Sequence, residues 1–446
     1  MGGIYSGITL LCKIKETLTS IFCGETVPTR QHLLDFCMAM LGLDMCMTVK
    51  STFERFIRGL TKFKLKSYYY MFNRGKIILD NWFIIFVRLM LSIIPDELKD
   101  QPIILIIDDT LVEKKGKKFE NIKTLFDHTC KNGSNYLDGH CFVTITMCIP
   151  VILNKNLKYI SSVLTHRMWT GEKTKLEMAN ELICMASNII GNEKKIIVLF
   201  DSWYPKGIIC KLSEKENIGI ICNVRHDTTL YDLPPAKTGK RGRPRQHGEQ
   251  LSLDDFSLQK ISGTNYKAGF RYVKTKIFGN KIVLAIVTEN ISSKSRRIFI
   301  CTDENIYKKL NIKLLSNVST RYFYIADKMF LPLCIYSLRW SIETSFYELK
   351  TFWSFSNYRL RSRVGIERLV NLQSIVYSLM SLLPSMDARF EFLADRSIQE
   401  RRLLLSRLIQ RQIFIDRFVR SLENAKKYPE LVEECQRLAF EEGVAA

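Results

Sequence analysis

Four residues within one helix-length stretch, Tyr336, Arg339, Glu343 and Lys350, bring together a phenol, two cations and a carboxylate. At about 100° per residue, all four fall within roughly 60° of arc, so a single helix from Tyr336 to Lys350 presents them as one stripe. Ile335, Ile342, Phe346, Leu349 and Trp353 fill the neighbouring arc, which lets the helix dock on a core while the stripe faces a cleft. Such a stripe suits a divalent metal beside a phosphate chain. An amphipathic surface helix with a Glu-to-Lys charge pattern has the same spacing, so the stripe needs partners elsewhere in the chain.

Two aspartates supply them. Ile103-Ile104-Leu105-Ile106-Ile107, bounded by Pro102, reads as a strand buried on both faces that ends at Asp108-Asp109-Thr110. Lys195 to Phe200 repeats the design and ends at Asp201. Parallel strands ending side by side bring such carboxylates together, at the edge where α/β sheets carry their sites. Asp residues also suit turns that merely end a strand. The separations from Asp108 to Asp201 and from Asp201 to Glu343 are 93 and 142 residues. The first accommodates a hairpin and a helix, and the second implies an inserted domain. Strand alternation points Asp108 and Asp109 in opposite directions, and an all-apolar run does not say which faces the cleft. Three carboxylates without a Cys or His cluster favour Mg²⁺ or Mn²⁺ over zinc. Two such ions roughly 3.5–4 Å apart activate a water or a 3′-hydroxyl and stabilise the leaving oxygen at phosphorus.

The order Tyr, two residues, Arg, three residues, Glu, six residues, Lys resembles the signature of insertion-sequence DDE transposases, and all four positions match. The resemblance covers roughly residues 100 to 385 and implies an α/β fold: a ribonuclease H-like catalytic core with a β-rich insertion, flanked by helical N-terminal and C-terminal regions. It implies that Asp108 bridges two Mg²⁺ or Mn²⁺ ions while Asp201 and Glu343 each hold one, and that Tyr336, Arg339 and Lys350 grip phosphates near the cut end. The family usually carries Asp, one variable residue and Thr, which assigns the first role to Asp108 and leaves Asp109 as the alternative. The implied activity is cut-and-paste transposition: metal-dependent DNA cleavage at transposon ends and strand transfer. The implied partners are terminal inverted repeats, target DNA and a second copy in a synaptic homodimer. The implied setting is the bacterial cytoplasm, at the nucleoid. A non-catalytic DNA-binding protein derived from such an enzyme and a metal-dependent nuclease without strand transfer share many of these features.

Composition agrees with a polyanionic partner. The chain has 66 Lys and Arg against 45 Asp and Glu, a formal charge of +21, and such an excess draws nucleic acid through counterion release. A membrane is not expected, because the longest apolar stretch, Ile77 to Ile94, contains Asp80, Asn81 and Arg88. Gly2 and Ser6 fit the loose myristoylation pattern but no polybasic second signal follows directly, and Lys13 and Lys15 follow rather than precede the short apolar run, unlike a secretory signal. No Walker-type loop or Gly-x-Gly-x-x-Gly turn is present, so no nucleotide cofactor is expected. Thirteen cysteines without a Cys-x-x-Cys pair read as free thiols in a reducing cytoplasm.

Five segments follow: helical residues 1–98 with breaks at Pro28 and Pro95, a first core part at 99–225, the β-rich insertion at 226–327, a second core part at 328–385, and a helical region at 386–446. The core is expected as strands at 103–107, 141–153 and 158–166, a helix at 173–190, the strand before Asp201, a helix at 206–212 and a strand at 218–224. In the insertion, Phe270 to Phe278 and Ile282 to Val287 read as a hairpin turning at Gly279-Asn280, with further strands at 297–301 and 322–326. Between Lys50 and Arg74, basic residues interleave with Phe53, Phe56, Phe63, Tyr68, Tyr69, Tyr70 and Phe72, as suits either a helix on DNA backbone or a solvated basic face. Arg241, Arg243 and Arg245 resemble an AT-hook, whose arginines enter a narrow minor groove; a basic loop approaching phosphates is the plainer alternative. Trp203 either stacks a base or packs the following helix. Leu369, Leu372, Val376, Leu379 and Leu383 mark a helix expected to stop at Pro384, and Arg396 to Arg420 an amphipathic one that packs on the core, lines DNA or pairs with a second copy.

Overall fold

The apolar run that leads to Asp108 is only the first half of its strand. In the computed structural model, β1 (Ile103–Glu113) continues past both aspartates because two neighbours of unequal length flank it. Antiparallel β3 (Tyr136–Leu153) pairs with it from Ile104 to Glu113, whereas parallel β5 (Ile196–Phe200) pairs only from Ile103 to Ile106. The strand therefore does not end at Asp108-Asp109 as expected; only its parallel pairing stops short of them, at Ile106. The structure describes residues 2–43, 48–116, 118–127, 133–236, 245–261, 263–279, 281–303 and 331–424, with residues 430, 433 and 437.

The chain divides into two compact units, one of residues 1–77, 352–359 and 395–446, and one of residues 78–351 and 360–394. The second unit is mixed α/β and holds one large mixed sheet. After β1 come β2 (Lys123–Phe126), β3, β4 (Asn156–Met168), β5, β6 (Ile218–Val224), β7 (Leu230–Tyr231), β8 (Gln250–Leu251), β9 (Gln259–Lys260), β10 (Tyr266–Lys274), β11 (Ile282–Asn290) and β12 (Arg296–Cys301). Among the described residues their order is β2-β3-β1-β5-β6-β12-β11-β10-β7-β8, with β4 on β3 and β9 on β10. β12 lies antiparallel to β6, from Cys301 opposite Ile221 to Ile298 opposite Val224, so the strands read as an insertion extend the same sheet.

The first strand of the expected hairpin sits four residues upstream, at Tyr266–Lys274, while the second begins at Ile282 as expected. β10 ends at Lys274 opposite Ile282, and buried Phe278 draws Lys276–Phe278 into a 3₁₀ turn instead of a two-residue loop. The strand expected at 322–326 lies outside the described residues. The helix expected at 206–212 is one short turn, Gly207–Cys210, followed by a 3₁₀ turn at Lys211–Glu214. The helix before β5, Lys175–Ile190, starts at a Thr174/Glu177 capping box and stops at Gly191, whose φ of 92° suits glycine.

Helix Arg363–Met386 runs two residues past Pro384 and does more than bury its leucine stripe. Among the described residues it is one helix long and apolar enough to cross a membrane, yet 89% of that stretch is buried within the protein. Its polar positions Asn371, Ser374, Ser378 and Ser381, also at helical spacing, meet the free edge of β4. Asn371 accepts from the N–H of His166 and donates to its carbonyl; Ser378 does the same for Val163; Ser381 donates to the Ser161 carbonyl. One extra β4 residue, Leu164, bulges between the paired Val163 and Thr165, which shifts the outward backbone groups from 161 and 163 to 166. An edge strand is thus closed by side chains. We expect Asn371→Leu to lower unfolding stability by about 3 kcal/mol, because it strands a buried N–H and a buried C=O. A urea titration showing less than about 1 kcal/mol would contradict this role.

The first unit contains Gly2–Ile21, Val27–Gly42, Val49–Arg55, Leu65–Arg74 and Ile398–Asn424. Pro28 occupies the first turn of its helix, where a missing N–H costs nothing. Of the aromatic residues between Lys50 and Arg74, Phe53, Tyr68 and Phe72 are buried and Tyr68 donates to Asp35 at 2.7 Å, so these rings belong to the core. Arg402 is buried, donates to the carbonyls of Met40, Leu43 and Phe352, and lies 4.4 Å from the Trp353 ring. It supplies the acceptors at the end of Val27–Gly42 with donors. The first half of the C-terminal helix packs on its own unit through Leu405 and Ile409.

Candidate active site

Alternation along β1 and β5 decides which carboxylates meet. Ile104 and Ile106 of β1, Ile197 and Leu199 of β5 and Ile221 of β6 are buried in one cluster with Ile335, Leu338, Ile342 and Phe346. Asp108 and Asp201 continue the same alternate positions, each two residues beyond the paired Ile106 and Leu199. Burying each of those apolar side chains contributes about 1.5–3 kcal/mol, enough to hold the Glu343 helix over this face at the cost of crowding carboxylates beneath it.

Asp108 shows that crowding. Burial, and then the negative charge of Asp201, push its carboxyl from 3.8 up to about 7, against the N–H of Asp109 and the guanidinium of Arg339, which favour the ionised form. Burial also raises Asp201, whose Oδ1 accepts from the N–H of Trp203 at 3.0 Å. Asp109 points to the opposite face. There it accepts from Lys175 Nζ at 2.8 Å, the Tyr204 hydroxyl at 3.2 Å and Cys141 Sγ at 3.3 Å. Of the two candidates, Asp108 is the one that meets Arg339.

The stretch from Tyr336 to Lys350 is not one helix. It is Leu331–Ser337 and Trp340–Phe352, joined by a tightened turn in which Leu338, Arg339, Ser341 and Ile342 donate to carbonyls three residues back. The Ser337 hydroxyl, bonded to the Cys334 carbonyl at 2.6 Å, favours a bend here. The turn delivers Arg339 between two acids: Nη1 is 3.4 Å from Asp108 Oδ2, and Nη2 donates to Glu343 Oε1 at 2.5 Å. Its Nε is buried without a partner among the described residues. Tyr336 lies with its ring 5.7 Å from the guanidinium and packs edge-on against Phe299. Lys350 donates to the Leu111 carbonyl of β1 at 2.9 Å. Trp353 falls beyond the helix end, on Arg402 rather than in the apolar arc expected for it.

Arg339 therefore bridges Asp108 and Glu343, and Asp201 lies near enough for its charge to act on Asp108. Their donors are all carboxylate oxygens, as a hard divalent cation requires, and the mutual repulsion of Asp108 and Asp201 would be relieved by one. Among the described residues no group of three His, Cys, Asp or Glu is arranged to hold a metal, and Glu343 is engaged by Arg339. A metal shared by all three needs that ion pair to open. Lys175 and Tyr204 escaped the sequence reading; their signals were the capping box that opens one helix and the position three residues past Asp201. Arg245 is exposed, and Arg241 and Arg243 lie outside the described residues. His166 is buried and pushed down to about 3 by burial and then by Lys350, so it is a neutral bridge between Thr144 and Ser374.

No curated protein matches the sequence. Among solved structures, the chain is similar to the piggyBac transposase in a synaptic complex with hairpin DNA, at 10% identity and a TM-score of 0.42, covering 93% of this chain and 76% of that one. Residues 26–263, which include Asp108 and Asp201 but not Glu343, match the family described as DDE superfamily endonuclease. That match spans more than half of the sequence, and the chain belongs to the DDE superfamily endonucleases.

Proposed function

We propose that the chain is a transposase that cleaves DNA at transposon ends and joins the freed 3′ ends to target DNA. The observation that supports this most is that Arg339 bridges Asp108 and Glu343 while the charge of Asp201 acts on Asp108, three acids from three distant segments. DDE superfamily endonucleases generally use divalent metal ions, and in this reading Asp108, Asp201 and Glu343 hold Mg²⁺ or Mn²⁺, two ions in all. When bound, such ions activate a water or 3′-hydroxyl and stabilise the leaving oxygen. The chain's own residues do the rest. Arg339 moves from the carboxylates to a phosphate flanking the scissile bond, Lys350 turns from the Leu111 carbonyl to a second one, and Tyr336 backs the guanidinium. The core in this reading is ribonuclease H-like, of the insertion-sequence branch that carries the Tyr336, Arg339, Glu343, Lys350 signature. It works as a homodimer in a synaptic complex, in the bacterial cytoplasm at the nucleoid.

The test begins with the DNA flanking the gene. Short inverted repeats found there, placed at the ends of a labelled duplex with a target plasmid, should be cut to 3′-hydroxyls in Mg²⁺ or Mn²⁺ and joined to the plasmid. Cutting without joining would leave a nuclease; no cutting in either metal would end the transposase reading.

Replacing Arg241, Arg243 and Arg245 together with Ala should weaken binding to these ends and flatten the salt dependence by up to about three units, one for each lost phosphate contact. A greater loss on A·T-rich than on G·C-rich duplexes marks a minor-groove reader. Equal loss marks a basic loop, and an unchanged slope removes the loop from the DNA surface.

A further inference from the structure

We propose that a row of alternating ammonium groups and aromatic rings, Lys123, Trp169, Lys175, Trp203 and Lys206, binds unpaired nucleotides of a DNA strand, with a base stacked on Trp203 and phosphates on the lysines. This rests on the DNA reading above and adds the form of DNA that the surface takes.

The row is assembled from four chain segments. Lys123 belongs to β2, Trp169 follows β4, Lys175 opens a helix, and Trp203 and Lys206 follow β5. Lys123 Nζ is 5.0 Å from the Trp169 ring centre. Lys175 Nζ is 5.8 Å from Trp169 and 5.5 Å from Trp203, so it links the two rings. Lys206 Nζ is 4.4 Å from Trp203. The rings are held in place. Trp169 Nε1 donates to the Lys173 carbonyl at 2.8 Å, and Tyr204 lies edge-on to Trp203 with centres 5.0 Å apart. The Lys175 ammonium is anchored by Asp109, and the Trp203 N–H by Asp201, which ties the row to the carboxylate strands.

Trp203 is nevertheless 39% exposed and Lys206 is exposed. A tryptophan left in water between two ammonium groups is poorly suited to an apolar peptide, which would have to desolvate the charges. Nucleotides match both features, since every base has a π-face and every link a phosphate. A closed duplex keeps its bases stacked on one another, so only unpaired nucleotides engage the ring. Cleavage and joining at a DNA end expose such nucleotides beside the carboxylates.

Binding is measured in EDTA, so that cleavage does not enter, with a fluorescein-labelled oligothymidine of about 20 nucleotides, longer than one binding site. The single strand should quench tryptophan emission. Trp203→Ala should reduce that quenching and weaken binding about tenfold, whereas Trp203→Phe, which keeps a stacking face, should remain within about threefold of wild type. Lys206→Gln should lower the salt slope by about one unit. A duplex of equal length should lose less than about twofold in Trp203→Ala, with unchanged circular dichroism. Single-strand binding by Trp203→Ala at wild-type affinity, or equal losses on single strand and duplex, would overturn the proposal. Trp203-dependent binding by a chain that cuts no transposon end keeps this site and removes the transposase reading; cutting without Trp203-dependent binding does the reverse.

Discussion

Asp108→Asn is expected to lower metal-dependent DNA cleavage by at least about a thousandfold while making the metal-free protein more stable at pH 8. The loss of activity follows from removing the carboxylate that meets Arg339 and feels the charge of Asp201. The gain in stability follows from linkage. Asp108 titrates near 7 in the folded protein and near 3.8 when unexposed to that environment, so between these values the folded state binds the extra proton. Stability from this group is therefore present below pH 4, falls as pH rises towards 7 and stays low above it, a difference of roughly 2–4 kcal/mol. Asn carries no such charge. In chelator, the difference in melting temperature between variant and wild type should grow from pH 4 to 7 and then level off, and Mg²⁺ should raise the wild type but not the variant. A difference independent of pH would show that Asp108 is not held under repulsion. Asp201→Ala and Glu343→Ala should match the loss of cleavage, with DNA affinity nearly kept because phosphates are held by the basic surface. Wild-type cleavage by Asp108→Asn alone would pass its role to Asp109.

Arg339→Gln is expected to separate metal binding from chemistry. With the guanidinium gone, Asp108 and Glu343 face each other and Asp201 without a cation, so the metal-free protein should lose about 2–4 kcal/mol of stability at pH 8. Mn²⁺ should then bind about tenfold more tightly, because no ion pair with Glu343 has to open first. Cleavage should nevertheless fall about a hundredfold through loss of the group that positions the phosphate. Mn²⁺ affinity read by electron paramagnetic resonance or calorimetry, without DNA, distinguishes this from simple misfolding, which weakens metal binding as well. Lys350→Ala is the comparison: Lys350 donates to the Leu111 carbonyl of β1, and its replacement should slow cleavage with little change in Mn²⁺ affinity. Weaker Mn²⁺ binding in Arg339→Gln would mean that the arginine organises the carboxylates for metal instead of standing in for it.

The sequence by itself marked the candidate carboxylates and determined most of the strands that carry them. Uninterrupted apolar runs at 103–107 and 196–200 read as buried strands from the sequence alone, and the helix at 173–190 was legible before the second of them. Local patterns of this kind depend on neighbours in sequence, which is why they are legible there. The tertiary structure decided what depends on neighbours in space. An all-apolar strand hides which face is which, so only the packing of Ile335, Leu338, Ile342 and Phe346 on Ile106 and Leu199 separates Asp108 from Asp109. The break at Leu338-Arg339 interrupts a periodicity that continues smoothly on either side, and it is this break that brings Arg339 between Asp108 and Glu343. Pairing of β12 with β6 joins strands some 75 residues apart, a separation over which no periodic pattern extends. The lysine and tryptophan row has the same origin: four segments, each unremarkable alone, meet where strand ends and a helix start converge, because the sheet places them there.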